Sequence, residues 1–234
     1  VLEDTERLRH SVYLSGAARG PVLPPGCSRT RRVPETADID LSFPISRTIS
    51  LMPPLEITRG CHWNCRFCQT SLEKPRHRSL ESVRIYLEEL KRRVYLTRVG
   101  FICPSGFEYG ASKPGCPDAE RIERLLASAR EAGIRYVEYG LFPSELRPET
   151  VTPGMLAILT RYCSNRKVTI GAQSGSELRL KRLQRGHAIG DIERATALCR
   201  EHGLTPQLDF IIGYPGESEE ELLDTLALAR KLNR

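Results

Sequence analysis

Residues 55–69 read LEITRGCHWNCRFCQ, and this stretch decides how the rest of the chain is interpreted. It begins as a short apolar strand and continues into a loop on which Cys61, Cys65 and Cys68 have the spacing C-x3-C-x2-C. Three thiolates on one short loop can ligate three irons of a 4Fe-4S cluster and leave the fourth iron open to a small molecule. A structural zinc ion would require a fourth ligand, either His62 or a distant cysteine, and is the less favoured alternative.

From residue 55 onward, short apolar runs alternate with amphipathic helices. Five strands are predicted, at residues 55–58, 98–103, 136–142, 167–172 and 208–212. Asp118, Thr152, Ser176 and Ser218 are expected to cap helices that follow these strands. Strict alternation of strand and helix implies a parallel sheet with right-handed crossovers. We therefore predict an α/β fold, a partial TIM-type (β/α)6 barrel truncated before its sixth strand, with its chemistry at the carboxyl ends of the strands.

Composition separates the chain into two parts. Residues 1–50 contain five of the prolines and show little periodicity, which predicts a Pro-rich linker or arm, and residues 51–234 are predicted to form the core domain. The net charge of +6, from 35 Lys and Arg against 29 Asp and Glu, is too small and dispersed to indicate a nucleic-acid partner. No run approaches the roughly 20 apolar residues of a membrane span. We predict a cytoplasmic protein without such a span.

Eight cysteines are present, three of them crowded into the loop of residues 61–68. Such clustering indicates metal chemistry in a reducing compartment rather than a disulfide framework. The other five cysteines are predicted to be structural or incidental. An auxiliary cluster on Cys103 and Cys116 would need Cys27 as a further ligand and is the less favoured alternative.

The cysteine loop, with Phe67 just before its last cysteine, resembles that of the radical S-adenosylmethionine superfamily. The resemblance covers roughly residues 53–234. It implies that Cys61, Cys65 and Cys68 hold a 4Fe-4S cluster whose open iron binds S-adenosylmethionine. It also implies that reductive cleavage yields methionine and a 5′-deoxyadenosyl radical, which abstracts hydrogen from the substrate. An electron donor such as ferredoxin or flavodoxin is implied as a partner.

A segment near the fourth predicted strand resembles the methylthiotransferase branch of this superfamily. It consists of IGAQSGS at residues 170–176 and LQRGH at residues 183–187. The resemblance implies that Gln173, Ser174 and Ser176 lie near the ribose of S-adenosylmethionine and that Arg185 lies near the methionine carboxylate. An arginine can bind a carboxylate bidentately. The alternative is that Arg185 complements the dipole at a helix carboxyl terminus.

Two further regions complete the implied cofactor site. LDFIIGYPGE at residues 208–217 resembles the adenine-binding motif of the fifth strand, which implies that Ile211 and Gly213 meet the adenine and that Phe67 covers it. The Gly-Gly-Glu-type loop that binds the methionine amino group in many members is absent after the second strand. Ser105 and Gly106 are the nearest candidates for that contact.

Three segments resemble a subgroup that carries a cobalamin-binding domain before the barrel, namely PRHRS at residues 75–79, FICP at residues 101–104 and FPSELRPE at residues 142–149. This resemblance implies cobalamin as a further cofactor and radical methylation or related C–H functionalisation as the reaction, which would make the protein a methyltransferase. The cobalamin domain itself is absent from these 234 residues. The Pro-rich start and the first residue, Val1, lead us to expect a fragment cut in an interdomain linker.

The loop after the third predicted strand is expected to face the cavity. Glu138, Glu145 and Arg147 are therefore candidates for contact with the substrate, although Glu145 and Arg147 would equally suit an ion pair on a surface loop. Two other functions stay open beside the cobalamin-dependent reaction. One is a tRNA-modifying methylthiotransferase, and the other is a non-enzymatic iron–sulfur or zinc module.

Overall fold

The structure is a computed structural model that describes residues 11–12, 28–29, 39–41, 54–93 and 97–233. The chain divides into two compact units, Val1–Asp38 and Ile39–Arg234. In the first unit, Ser11–Val12 and Ser28–Arg29 pair as short parallel strands. Cys27 and most of the predicted Pro-rich arm at residues 1–50, including its predicted boundary, lie outside the described residues.

The second unit alternates strands and helices. Its strands are β1 (Leu55–Glu56), β2 (Thr58–Arg59), β3 (Arg76–His77), β4 (Arg98–Ile102), β5 (Tyr136–Glu138), β6 (Lys167–Gln173) and β7 (Thr205–Phe210). Its helices are α1 (Leu80–Arg93), α2 (Ala119–Glu131), α3 (Pro153–Tyr162), α4 (Glu177–Arg182), α5 (Ile189–Glu201) and α6 (Glu219–Leu232). Short 3-10 helices occupy Ile39–Leu41, Gln69–Leu72, Gly106–Glu108 and Pro148–Thr150. A strand forms at each of the five predicted places, although the fifth covers Thr205–Phe210 rather than residues 208–212, and β2 and β3 add a small antiparallel pair.

The strands of the barrel follow one another in chain order. β1, β4 and β5 form one parallel sheet in that order, and β6 and β7 form a second parallel pair. The loop after β5 joins the two, because the Leu146 N–H donates to the Thr169 carbonyl at 2.8 Å and the Leu146 carbonyl accepts from the Gly171 N–H at 3.0 Å. Within the described ranges the sheet does not close, which confirms the predicted partial barrel. None of the helices described is long and apolar enough to cross a membrane.

The two faces of β6 and β7 have different environments. Ile170 and Ala172 pack outward into the hydrophobic core formed with the helices. Because side chains alternate along a strand, Gly171 lies on the opposite, inner face. Gln173 turns its side chain to the same face, since its Nε2 would lie 2.8 Å from a Cβ built at Gly171. Phe210 packs outward in the same way, so its neighbour Asp209 belongs to the inner face, where it is paired in register with Gly171. The barrel therefore has a polar inner surface near the carboxyl ends of these strands.

Helix capping follows the sequence at three of four predicted positions. Asp118 accepts from the backbone N–H of Arg121 at 2.9 Å, and Thr152 caps α3 in the same manner. Ser218 and Glu221 form the reciprocal capping box of α6. Ser176 precedes α4, but its side chain makes no capping bond, which corrects the prediction for that residue. Its backbone N–H instead donates to the Ser174 hydroxyl at 3.2 Å.

Candidate functional site

The cysteine loop begins directly after β2 at Gly60, a position whose backbone conformation and close neighbours admit only glycine. Gly60 has a φ of +81°, and a Cβ built there would lie 2.4 Å from the Lys74 carbonyl oxygen. The next residue, Cys61, donates its backbone N–H to Glu73 at 3.0 Å, and Cys68 N–H donates to the Cys65 carbonyl at 3.1 Å. These bonds fold the three cysteines into one compact loop at the mouth of the barrel.

All three loop cysteines are free thiols, with Cys65 buried and Cys61 and Cys68 half-buried. Burial raises the pKa of the Cys61 thiol. Within the part of the chain that the structure describes, no three His, Cys, Asp or Glu side chains converge on a point that could hold a single metal ion. A 4Fe-4S cluster takes one thiolate on each iron and does not require such convergence, so the donor set fits a cluster.

Two buried guanidinium groups meet at Cys65. Nη1 of Arg185 lies 3.5 Å from the Cys65 Sγ, and Nη1 of Arg147 lies 3.8 Å from it. Burial, and then the charge of Arg147, lower the pKa of Arg185. Arg147 forms an ion pair with Glu149, whereas Arg185 forms no ion pair with any residue that the structure describes. A buried guanidinium without an ion pair, that of Arg185, suits an anionic thiolate and a ligand carboxylate.

Polar side-chain ends converge on the inner face at Gly171. A Cβ built at Gly171 would lie 2.8 Å from both Arg185 Nη2 and Gln173 Nε2, and 3.3 Å from Glu145 Oε2. Burial raises the pKa of Glu145, and the neighbouring Asp209 carboxylate raises it further. Gln173 has a φ of +70° beside an irregularity in the pairing of β6 with β7, a device that redirects a side chain. These four side chains form the polar centre of the candidate site.

Three predicted cofactor residues carry buried polar atoms without a hydrogen-bond partner in the described structure, namely Ser105 Oγ, Gln173 Oε1 and Arg185 Nε. Leaving a buried polar atom unpaired costs about 1–3 kcal/mol. A polar ligand within hydrogen-bond distance of these atoms would relieve that cost. The site therefore fits a ligand such as S-adenosylmethionine, which carries a carboxylate, an ammonium group and ribose hydroxyls.

Other predicted cofactor residues are engaged within the protein. The Ser174 hydroxyl lies 3.3 Å from the Thr225 hydroxyl of α6, which ties this residue to the outer layer. Gly106 donates its N–H to the Glu145 carbonyl at 2.8 Å, and its lack of a side chain lets the two loops touch. Gly213 N–H donates to a Glu217 carboxylate oxygen at 2.5 Å, and the Ile211 side chain is 38% exposed.

Glu138, a predicted substrate contact, lies 3.6 Å from Arg98 Nε rather than beside the cysteine loop. Phe67 lies next to a residue that sequence reasoning did not select, Tyr214, with ring centroids 5.8 Å apart. The two rings line a cavity of about 720 Å³ beside the cysteine loop, together with Arg66, Arg179, Arg182, Leu183, Pro215 and Gly216. The aromatic pair therefore extends the predicted adenine side of the site.

Trp63 is a further residue that the sequence analysis passed over. Its Nε1–H donates to the Glu108 carboxylate at 2.8 and 3.0 Å, and the Arg147 guanidinium stacks on its ring at 3.7 Å from the centroid. The available signal was that the only tryptophan of the chain falls inside the cysteine motif. Asp209 was also missed, although the alternation of apolar and polar residues along β7 places it on the inner face.

We expect the packing of the Trp63 indole ring to require glycine at position 186. Gly186 has a φ of +82°, and a Cβ built there would lie 2.4 Å from Trp63 Cζ3. Gly186→Ala should displace the indole and cost about 1–3 kcal/mol of stability. The emission of the single tryptophan should move to longer wavelength, whereas Gly190→Ala, where a built Cβ meets nothing within 4 Å, should leave it unchanged. Equal spectra for the two variants would contradict this packing.

Comparison with known proteins identifies the family to which the chain belongs. The family model of the Radical SAM superfamily matches residues 55–229. The tRNA-2-methylthio-N(6)-dimethylallyladenosine synthase of Chlorobium phaeovibrioides is 30% identical over 204 residues, which cover 82% of this chain and 44% of that protein. The chain thus spans less than half the length of this relative.

Solved structures show the same fold at lower identity. The cobalamin-dependent S-adenosylmethionine radical enzyme OxsB with aqua-cobalamin bound matches 75% of this chain and 26% of its own, with a TM-score of 0.56 and 19% identity. Coproporphyrinogen III oxidase (HemN) from Escherichia coli, a radical SAM enzyme, matches 76% of this chain and 41% of its own, with a TM-score of 0.51 and 21% identity. At these identities the likeness establishes the fold alone.

Proposed function

This chain belongs to the Radical SAM superfamily, and from that membership we propose that it is the core of an enzyme that cleaves S-adenosylmethionine reductively, using a 4Fe-4S cluster held by Cys61, Cys65 and Cys68. The observation that carries the proposal is the cysteine loop at the barrel mouth, beside buried polar atoms that lack protein partners. When bound, the cluster supplies the electron that breaks the sulfonium C–S bond, which yields methionine and a 5′-deoxyadenosyl radical that abstracts hydrogen from the substrate.

The inner face offers complementary groups for each polar part of S-adenosylmethionine. We assign the methionine carboxylate to Arg185, whose Nε is unpartnered, and the ribose hydroxyls to Gln173 Oε1 and Asp209. Glu145 lies beside Arg185, and a carboxylate next to a guanidinium complements the two charges of an amino acid. We therefore assign Glu145 to the ammonium group rather than to a separate substrate. Phe67 and Tyr214 would shield the adenine from water.

For the reaction on the substrate, we propose radical methylation or a related C–H functionalisation with cobalamin as a further cofactor. Its support is the resemblance of residues 75–79, 101–104 and 142–149 to the cobalamin-linked subgroup. A second candidate is methylthiolation of tRNA, supported by the 30% identity to the Chlorobium phaeovibrioides synthase. Either reaction needs a one-electron donor such as ferredoxin or flavodoxin and a reducing compartment such as the cytoplasm.

Anaerobic reconstitution with iron and sulfide tests the proposal. The protein should bind about four irons per chain, develop broad visible absorbance, and release methionine and 5′-deoxyadenosine from S-adenosylmethionine when dithionite is added. Protein treated with sulfide alone is the control. A redox-active cluster that leaves S-adenosylmethionine intact would favour a non-enzymatic module, and a colourless protein with one zinc ion would contradict the cluster.

The two candidate reactions differ in what the reconstituted protein should do next. A cobalamin-dependent methylase, prepared together with its cobalamin-binding domain, should perturb the visible spectrum of added aquacobalamin and retain the cobalamin on ultrafiltration. A methylthiotransferase should instead produce a methylthiolated nucleoside when unmodified tRNA is added, detectable by mass spectrometry of the digested RNA. The first result would support the methylation proposal and the second would replace it.

A further inference from the structure

Arg147 is fixed on all sides although it lies on a loop. Its side chain is 3% exposed, and its Nε–H donates to a Glu149 carboxylate oxygen at 2.5 Å. Its Nη2 donates to the Arg185 carbonyl, and its guanidinium carbon lies 3.7 Å from the centroid of the Trp63 ring. The Nη1–H that is left is directed at the Cys65 Sγ, 3.8 Å away. The direction of one donor toward the cysteine is thus determined by three other contacts.

The ring beneath Arg147 is held independently of it. Trp63 donates from Nε1 to the buried carboxylate of Glu108, which also accepts from Gly115 N–H at 2.5 Å. On the other side, Gly186 leaves room for the ring edge. Glu108 belongs to the loop after β4, whereas Arg147 follows β5. The loops that follow two different strands of the barrel therefore hold the two halves of the stack.

A donor and a positive charge beside a cluster sulfur have a known physical effect. The reduction potential of an iron–sulfur cluster depends on its net charge and on hydrogen bonds to its sulfurs. The reduced cluster carries more negative charge than the oxidised one, so a nearby cation stabilises the reduced form more. The planar guanidinium is suited to this position, because it can stack on an aromatic ring while its edge presents several donors in fixed directions.

We propose that Arg147 is a positioning residue that holds an N–H group against the Cys65 sulfur and raises the reduction potential of the cluster, with Trp63 fixing the direction of that group. The inference rests on the proposed function, because it requires Cys65 to be a cluster ligand. It extends that function to the control of the reduction potential at which the cluster accepts its electron. Arg185 also reaches Cys65, but its unpartnered Nε assigns it to the ligand as well.

The test is a potentiometric titration of the reconstituted protein followed by electron paramagnetic resonance. Arg147→Ala should shift the midpoint potential to a more negative value, and Arg147→Lys should restore part of the shift. Trp63→Ala should shift it in the same direction, and Trp63→Phe, which keeps the stacking surface, should shift it less. The matched control is Arg161→Ala, because Arg161 also lies over an aromatic ring, Tyr162, and pairs with Glu123, but on α3.

The outcomes separate this inference from the proposed function. Wild-type protein that takes up no cluster would overturn both. A full cluster in Arg147→Ala with the wild-type midpoint would overturn the inference alone, and so would an equal shift in Arg161→Ala. Full iron content with a negative shift confined to the Arg147 and Trp63 variants would support it.

A second measurement needs no iron. Trp63 is the only tryptophan, so its fluorescence in the cluster-free protein reports the stack directly. Arg147→Ala should increase quenching of this emission by acrylamide, because the guanidinium no longer covers the ring, and Arg161→Ala should leave it unchanged. Unchanged quenching in Arg147→Ala would show that Arg147 does not cover the indole and would overturn the inference.

Discussion

Replacing Cys65 with alanine is expected to abolish cleavage of S-adenosylmethionine and to remove most of the iron from the reconstituted protein. Cys65 is the most buried of the three loop thiols and the one that two guanidinium groups approach. Loss of a residue that merely orients a metal ligand costs about 10–100-fold in affinity or activity. Loss of one of three ligands should exceed that range. Iron per chain and 5′-deoxyadenosine released under dithionite measure the two effects.

Cys163→Ala is the matched control for this variant. Cys163 is also a buried free cysteine, but it lies after α3, and burial raises its pKa to about 12, so it stays a thiol near neutral pH. It should retain both iron and cleavage activity. Cys103 has the same character, since its pKa is also about 12 through burial and its S–H donates to the Ser105 carbonyl at 3.0 Å. Equal iron loss in Cys65→Ala and Cys163→Ala would contradict the ligand assignment.

Much of the fold could be predicted because apolar periodicity and capping residues are local signals. The five barrel strands and the caps at Asp118, Thr152 and Ser218 follow from the sequence. The third strand is shorter than predicted, because Gly140 has a φ of +73°, which ends the extended run soon after Glu138. The antiparallel pair of β2 and β3 was not predicted, since two-residue strands are too short to show alternation.

The site was predictable only where its signal lies within one short stretch. The spacing of Cys61, Cys65 and Cys68 is such a signal, and it led to the superfamily that the family match establishes. The stack of Trp63 and Arg147 joins positions far apart in the chain, so no spacing rule could reveal it. The stack forms only because the barrel brings the loop after β2 and the loop after β5 together.

Replacing Arg185 with methionine is expected to weaken binding of S-adenosylmethionine by about 10- to 100-fold, the amount expected for loss of a hydrogen bond to a charged group. Methionine keeps the buried volume but removes the charge and the unpartnered Nε–H. The affinity of Arg185→Lys for S-adenosylmethionine should lie between those of the wild type and Arg185→Met, because lysine keeps the charge without the planar pair of donors. Isothermal titration of reconstituted protein with S-adenosylmethionine measures the change.

The control for Arg185→Met must separate a site effect from a general loss of positive charge. Arg194→Ala serves this purpose, because Arg194 is 51% exposed, pairs with Asp191 on α5 and does not line the candidate site. It should bind S-adenosylmethionine as the wild type does. If Arg185 only complemented the dipole of α4, its replacement would lower stability and leave binding unchanged, and that result would contradict the assignment. A guanidinium that only complements a helix dipole needs no hydrogen-bond partner in a particular direction. A bound carboxylate would accept from the unpartnered Nε–H of Arg185 and from one Nη–H at the same time, and this match favours the carboxylate assignment.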